Sequence, residues 1–197
     1  RDDVESRGLG DVYKRQGYAT EVYTMGKVTC DNYNVGFSDA RGETWNFYYS
    51  AIKKVNQLLE NIDKVPVNVS NETRKTYIVG QAYFLRAFFY HQLYSLYGRV
   101  PLVDHTFDID SDWAETRAEM DDVADFIVAD CKLAIEKLPL QYESSNDFGR
   151  ATRGAAMAVK ARTLLYKASP LFGTPSTEKW QEAAQAQKDI IDLGVYS

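Results

Sequence analysis

One stretch constrains this chain more than any other: GQAYFLRAFFYHQLYSLYGRVPLV, from Gly80 to Val103. Ile78, Ala82, Leu85, Phe89, Leu93 and Leu96 recur at helical spacing as its main stripe. Tyr83, Ala87, Tyr90, Tyr94 and Tyr97 form a second stripe beside it. Two adjacent apolar stripes require neighbours on more than one side, so the helix belongs inside a layered helical protein. It is not a membrane span, because Gln81, Arg86, His91 and Gln92 interrupt it, whereas a span needs about 20 predominantly apolar residues. Gly98 supplies the C-terminal stop and Pro101 lies just beyond.

Arg86 stands in the middle of this apolar helix. A buried guanidinium without a partner is very costly, so Arg86 must meet a carboxylate or several carbonyls. Glu60 and Asp63, on the preceding helix, are the expected partners. The competing reading makes Arg86 a contact for an anion or for sugar hydroxyls; the structural role is favoured, because Lys160 occupies the corresponding place in an internal echo. That echo aligns GQAYFLRA from Gly80 with GAAMAVKA from Gly154 as G-x-A-x-x-[LV]-[RK]-A. Small residues at these positions let a partner backbone approach closely, as they do between the helices of tetratricopeptide-type pairs.

The remaining helices follow the same logic. Tyr48, Ile52, Val55, Leu59 and Ile62 share one face of a helix ending before Pro66. Ser70 and Asn71 offer N-caps for the aromatic helix. Thr116 to Glu119, TRAE, reads as a capping box, followed by Val123, Ile127, Cys131, Ala134 and Leu138 at helical spacing up to Pro139. A small-residue helix runs from about Ala151 to Ser169, and another from Glu178 to Leu193, stopped by Gly194. The expected fold is all-α: two helix pairs plus the first helix of a third, after an irregular N-terminal segment. The connection from Gly98 to Ala118 exceeds a normal repeat loop, so it carries an insertion. Residues 1–16 are charged and aperiodic, and are expected to be disordered or a non-native leader. Residues 17–197 are expected to form the N-terminal part of a single domain that continues beyond the last helix.

Composition narrows function by exclusion. A formal charge of -5 over 197 residues argues against nucleic acid, whose phosphates need a basic face. Cys30 and Cys131 are far apart and form neither a disulfide framework nor a metal-type spacing; Cys131 reads as a buried free thiol. His91 and His105 lack any H-E-x-x-H or triad context and read as structural groups, and no P-loop, G-x-S-x-G or C-x-x-C occurs. No catalytic residue, metal or cofactor is therefore assigned, and the chain is expected not to be an enzyme. Asp108, Asp110, Asp112 and Glu119 match positions 1, 3, 5 and 12 of a calcium loop, but Trp113 stands where that loop requires glycine. The acidic residues are instead expected to favour the dipole of the following helix N-terminus.

The loop DNYNVGFSDARGETW contains Tyr33, Asn34, Phe37, Arg41 and Trp45. A sugar ring presents an apolar C–H face and a rim of hydroxyls, so its site needs an aromatic platform edged by amide, carboxylate or guanidinium groups. This loop offers both outside the helical repeats, and Trp113 is a further aromatic able to cap a ligand groove or face a partner. For Trp45 alone the favoured reading is an inward-packing residue at the start of the first helix. Arg150 and Arg153 are expected to bind carbonyls or acidic neighbours within the scaffold.

In order along the chain, WNFYYSAIKKVNQLLENID, YFLRAFFYHQLYSLYGRVPLV, GRATRGAAMAVKARTLLYKASPLF and EKWQEAAQAQKDIIDLGVYS resemble the SusD/RagB family of outer-membrane nutrient-binding lipoproteins. The resemblance covers most of the chain from about Gly17. It implies a SusD-like scaffold of tetratricopeptide-like repeats on the cell surface, anchored through a lipidated cysteine that this sequence lacks. It also implies a SusC-like TonB-dependent transporter as partner and an oligosaccharide ligand, with peptide as the alternative within the family. A scaffold of helix pairs that binds a protein partner and no small ligand is the competing function.

Overall fold

The computed structural model describes residues 44–69, 71–108, 110 and 114–195. Five α-helices follow in order: α1 Thr44–Asn61, α2 Glu72–Tyr97, α3 Met120–Lys137, α4 Arg153–Ala168 and α5 Thr177–Asp192. Single 3-10 turns, Ile62–Lys64 and Ser145–Asp147, follow α1 and precede α4. Among the described residues there is no strand, and no helix is long and apolar enough to cross a membrane. The chain divides into two compact units, residues 1–47 and 48–197, and the helical core lies in the second.

Each helix packs on the next in sequence, α2 on α3, α3 on α4 and α4 on α5, with α2 also reaching α4. This is the stacking of an all-α helix-pair repeat, in which consecutive helices lie side by side. Tyr48, Ile52 and Val55 of α1 are buried, as the periodicity predicts. Tyr48 meets Phe89 of α2 at 5.8 Å between ring centroids, and Tyr49 meets Tyr90 edge-on at 6.3 Å. On α3, Val123, Ile127, Cys131, Ala134 and Leu138 are all buried, so the complete predicted stripe is core. Val128, Ala161, Leu164, Ala183 and Ala186 form a second cluster joining α3, α4 and α5.

The internal echo is a packing device. Gly80, Ala82 and Ala87 on α2 and Gly154, Ala156 and Ala161 on α4 are all buried. At Gly80 an added Cβ would lie 2.9 Å from the Lys137 Cβ and 3.0 Å from two Leu138 side-chain carbons, so the end of α3 closes directly on bare backbone. The echo does not extend to its charged position in the same way. Arg86 is buried, whereas Lys160 is half-buried and has no comparable ion pair among the described residues.

Three local expectations are corrected. On α2 the deepest side chains are Ala82, Arg86, Ala87, Tyr90, His91, Leu93 and Tyr94, while Leu85 of the expected main stripe is 40% exposed. The second stripe is thus the better buried one, because α1, α3 and α4 converge on the side of α2 that carries Arg86, Tyr90 and Tyr94. The TRAE capping box does not form: Glu119 is itself the N-cap of α3, without a side-chain cap bond. The Ala118 N–H donates to the Val100 carbonyl at 3.0 Å and Glu119 accepts from Arg99 Nη2 at 2.6 Å, so residues 118–119 are committed to the return from the connection. Asn71 is the N-cap of α2, but its side chain accepts from the Asn68 N–H at 2.8 Å rather than from the helix, and Ser70 lies outside the described residues.

Two predictions follow from this packing. Gly80→Ala gains up to about 1 kcal/mol of helix propensity but overpacks against the Lys137 Cβ, a cost of about 1–3 kcal/mol that wins. Urea unfolding monitored by circular dichroism will therefore show a lower midpoint for the variant. His91 is buried on α2, with Nδ1 3.0 Å from Thr163 Oγ1 of α4, and burial, with Arg162 nearby, lowers its pKa from 6.5 to about 4. The unfolded chain binds this proton more readily than the folded one, so stability is full above about pH 6.5 and is lost as pH falls toward 4. The loss is on the order of 3 kcal/mol when complete. Thermal unfolding between pH 7 and 4 will show this slope, flattened in His91→Gln.

Candidate ligand-binding surface

The connection after α2 is not a free loop. Gly98 takes φ +67, the left-handed conformation that ends α2, while its N–H still donates to the Tyr94 carbonyl at 2.9 Å. The next residues are fastened one by one to α1 and α2. Tyr49 Oη donates to the Pro101 carbonyl at 2.8 Å, and the Val103 N–H donates to Tyr90 Oη at 2.7 Å. Asn56 Nδ2 donates to the carbonyls of Val103 at 3.0 Å and His105 at 3.1 Å. Glu60 accepts from both the Thr106 N–H, at 2.7 Å, and the Thr106 hydroxyl, at 2.6 Å. These bonds hold the Glu60 carboxyl below its usual pKa.

Behind this strap sits Arg86. Its Nε and Nη2 donate to Asp130 of α3 at 2.7 and 2.8 Å, a two-bond fork. Nη1 donates to Asn56 Oδ1 at 3.0 Å and reaches the Asp104 carbonyl at 3.4 Å. The guanidinium carbon lies 5.5 Å from the Tyr83 ring centroid and 5.1 Å from that of Phe126, so two aromatic rings stand within cation–π reach of it. Burial raises the Asp130 pKa, opposed by the hydrogen bonds and charge of Arg86. The expected partners Glu60 and Asp63 are not used: Glu60 holds Thr106, and Asp63 is 3.4 Å from Lys75 on the surface. The partner comes from a helix 44 residues later, and no local spacing encodes it.

Between α1 and the strap lies a cleft of about 160 Å³ lined by Tyr49, Ile52, Lys53, Val103, His105, Thr106 and Phe107. Pockets that enclose a ligand run to about 300–1,000 Å³, so this cleft is too small to surround an oligosaccharide. His105 is exposed, 3.0 Å from Asp104 Oδ1 and edge-on to Phe107 at 4.9 Å. It is thus a surface group, unlike the buried His91. The sequence marked this connection by its length and its acidic run, but not by the bonds that fasten it.

Of the expected binding residues, Trp45 stands half-buried in the first turn of α1. Tyr33, Asn34, Phe37, Arg41 and Trp113 lie outside the described residues, as does Asp112 of the acidic run. Glu119, the twelfth position of that run, is occupied by Arg99. Cys131 is a buried free thiol whose pKa burial pushes up to about 12, which leaves it unreactive. Arg150 binds Asp147 and Gln81, and Arg153 donates to the Leu138 carbonyl at 3.3 Å, both scaffold roles. Among the described residues no group of acidic, histidine or cysteine side chains is arranged to hold a metal ion.

A helix-pair repeat with a strapped connection is a scaffold architecture. Residues 5–165 match the SusD-like family described as starch-binding and associating with outer membrane, and the chain belongs to that family. A SusD-like protein of Formosa agariphila is 26% identical over 182 residues, covering 81% of this chain and 34% of that relative. A solved SusD-like protein of Bacteroides fragilis is 31% identical with a TM-score of 0.68, covering 79% of this chain and 28% of that one. A solved laminarin-binding SusD-like protein is 25% identical with a TM-score of 0.64, covering 75% of this chain and 29% of that one. The chain spans about a third or less of the length of the curated relatives it matches.

Removing one member of the central pair tests how far the strap depends on it. Asp130→Ala strands a buried guanidinium and will cost about 3–5 kcal/mol, whereas Arg86→Met with Asp130→Leu will cost far less. Chemical unfolding of the single and double variants measures both values.

Proposed function

We propose that this chain is the N-terminal scaffold portion of a cell-surface glycan-binding protein that works without catalysis and hands oligosaccharide to a TonB-dependent transporter of the SusC type at the outer membrane. The match of residues 5–165 to a family described as starch-binding and associating with outer membrane carries this reading. The solved laminarin-binding SusD-like protein adds that a chain of similar fold binds laminarin.

In this reading the helices hold the binding loops still, and affinity comes from stacking of sugar C–H faces on aromatic rings with hydrogen bonds to hydroxyls. Tyr33, Asn34, Phe37, Arg41, Trp45 and Trp113 are the proposed contacts. The rigid 98–108 strap suits such a scaffold, because bonds already made in the free protein need not be ordered on binding.

The test is calorimetric titration of a panel of starch and laminarin oligosaccharides, together with peptides, against the chain. Alanine at Tyr33, Phe37, Trp45 or Trp113 is expected to weaken glycan binding by about tenfold at each true stacking position. Absence of binding to every glycan, together with co-purification of an outer-membrane barrel, would overturn the ligand reading and leave a protein-interaction scaffold. Binding to peptide alone would move the chain to a peptide-binding role.

A further inference from the structure

Phe148 is 95% exposed, and its ring has no aromatic or cationic partner among the described residues. Exposure of this degree would be unremarkable in a floppy loop, but this loop is fastened. Ser144 Oγ accepts from the Asn146 N–H at 3.2 Å, and the Asp147, Phe148 and Arg150 N–H groups donate back to Ser144, Ser145 and Asp147 carbonyls at 3.0 to 3.2 Å. Arg150 Nε donates to Asp147 Oδ1 at 2.6 Å, and its Nη1 donates to Gln81 Oε1 on α2 at 3.2 Å. Gln81 Nε2 donates to Tyr142 Oη at 3.3 Å, Tyr142 Oη donates to the Ala151 carbonyl at 2.9 Å, and Tyr142 stands edge-on to Tyr77 at 5.8 Å. The ring is thus presented from a turn tied to α2.

We propose that the Phe148 ring, edged by Asn146, Asp147 and Arg150, is a stacking subsite for one pyranose ring of a glycan. Three observations favour a sugar over a protein surface. The residues flanking the ring, Ser144 to Asp147 and Arg150, bear hydroxyl, amide, carboxylate and guanidinium groups, whereas a protein hot spot sits within an apolar, desolvated patch. Gly149 next to it has φ +90, and a Cβ there would meet nothing within 4 Å, so the backbone following Phe148 leaves open space for a ligand beside the turn. Arg150 spends only part of its five-donor fork on Asp147 and Gln81, leaving N–H groups for hydroxyls. The subsite lies outside the Tyr33–Trp45 loop and gives a long glycan a second point of attachment, which raises affinity through effective concentration. The assignment rests on the glycan-binding reading above.

The experiment titrates starch and laminarin oligosaccharides of increasing length against the chain, Phe148→Ala and Phe148→Trp, with circular dichroism confirming that each is folded. Support is a loss of about tenfold or more in Phe148→Ala for the longer oligosaccharides, with affinity kept in Phe148→Trp. Equal binding by the parent chain and Phe148→Ala overturns the subsite and leaves the glycan reading intact. No binding by the parent chain overturns both. Unchanged glycan affinity with lost capture of a transporter barrel also overturns the sugar assignment, and makes Phe148 a protein contact.

Discussion

The paired charges of Arg86 and Asp130 are the constraint on which the rest of the arrangement depends. Both are buried between helices, and neither can be taken out of water alone without a penalty of several kcal/mol. The pair therefore fixes α2 against α3 in one register, and the guanidinium hydrogens left over fix two further elements. Asn56 brings in α1, and the Asp104 carbonyl brings in the connection. An apolar residue of similar size could fill the space at position 86, but it could not specify which backbone carbonyl lies above it. The ion pair is accordingly a device of specificity more than of net stability.

That device determines what the connection can do. Residues 101–106 accept from or donate to Tyr49, Asn56, Glu60, Arg86 and Tyr90, so the strap inherits the rigidity of the helices beneath it. The aromatic residues that fill α2 are consumed in this packing, as Tyr48 on Phe89 and Tyr90 on Phe126 illustrate. A repeat scaffold of this kind commonly carries its variable residues on the loops around the helix stack. Membership of the SusD-like family agrees with this division, since the match runs through the helix pairs.

Much of the scaffold was legible in the residues because its signals are local. The stripe from Val123 to Leu138 is fully buried, and the small residues of both echo segments sit in helix contacts. The failures share one cause. TRAE satisfies the local rule for a capping box, yet Arg99 claims the Glu119 carboxyl that would have formed it, and the helix starts only after Glu119. Leu85 satisfies the helical spacing, yet it is left 40% exposed. Of the expected site, only Trp45 falls among the described residues, half-buried at the opening of α1. Phe148 escaped attention because a single aromatic in a polar loop carries no periodic signal; only its exposure on a fastened turn sets it apart.

The sequence by itself determined that the chain is a stack of helices, where each one stops, that Arg86 needs a charged partner, and to which family the pattern is similar. Periodicity, glycine and proline act over a few residues, and burying an unpaired guanidinium is costly in any fold. Only the tertiary structure decided that the partner is Asp130, that the 98–108 connection is strapped rather than loose, and that Phe148 is left facing solvent. Those outcomes depend on which distant segments meet, and that is set by the packing of whole helices rather than by any spacing along the chain.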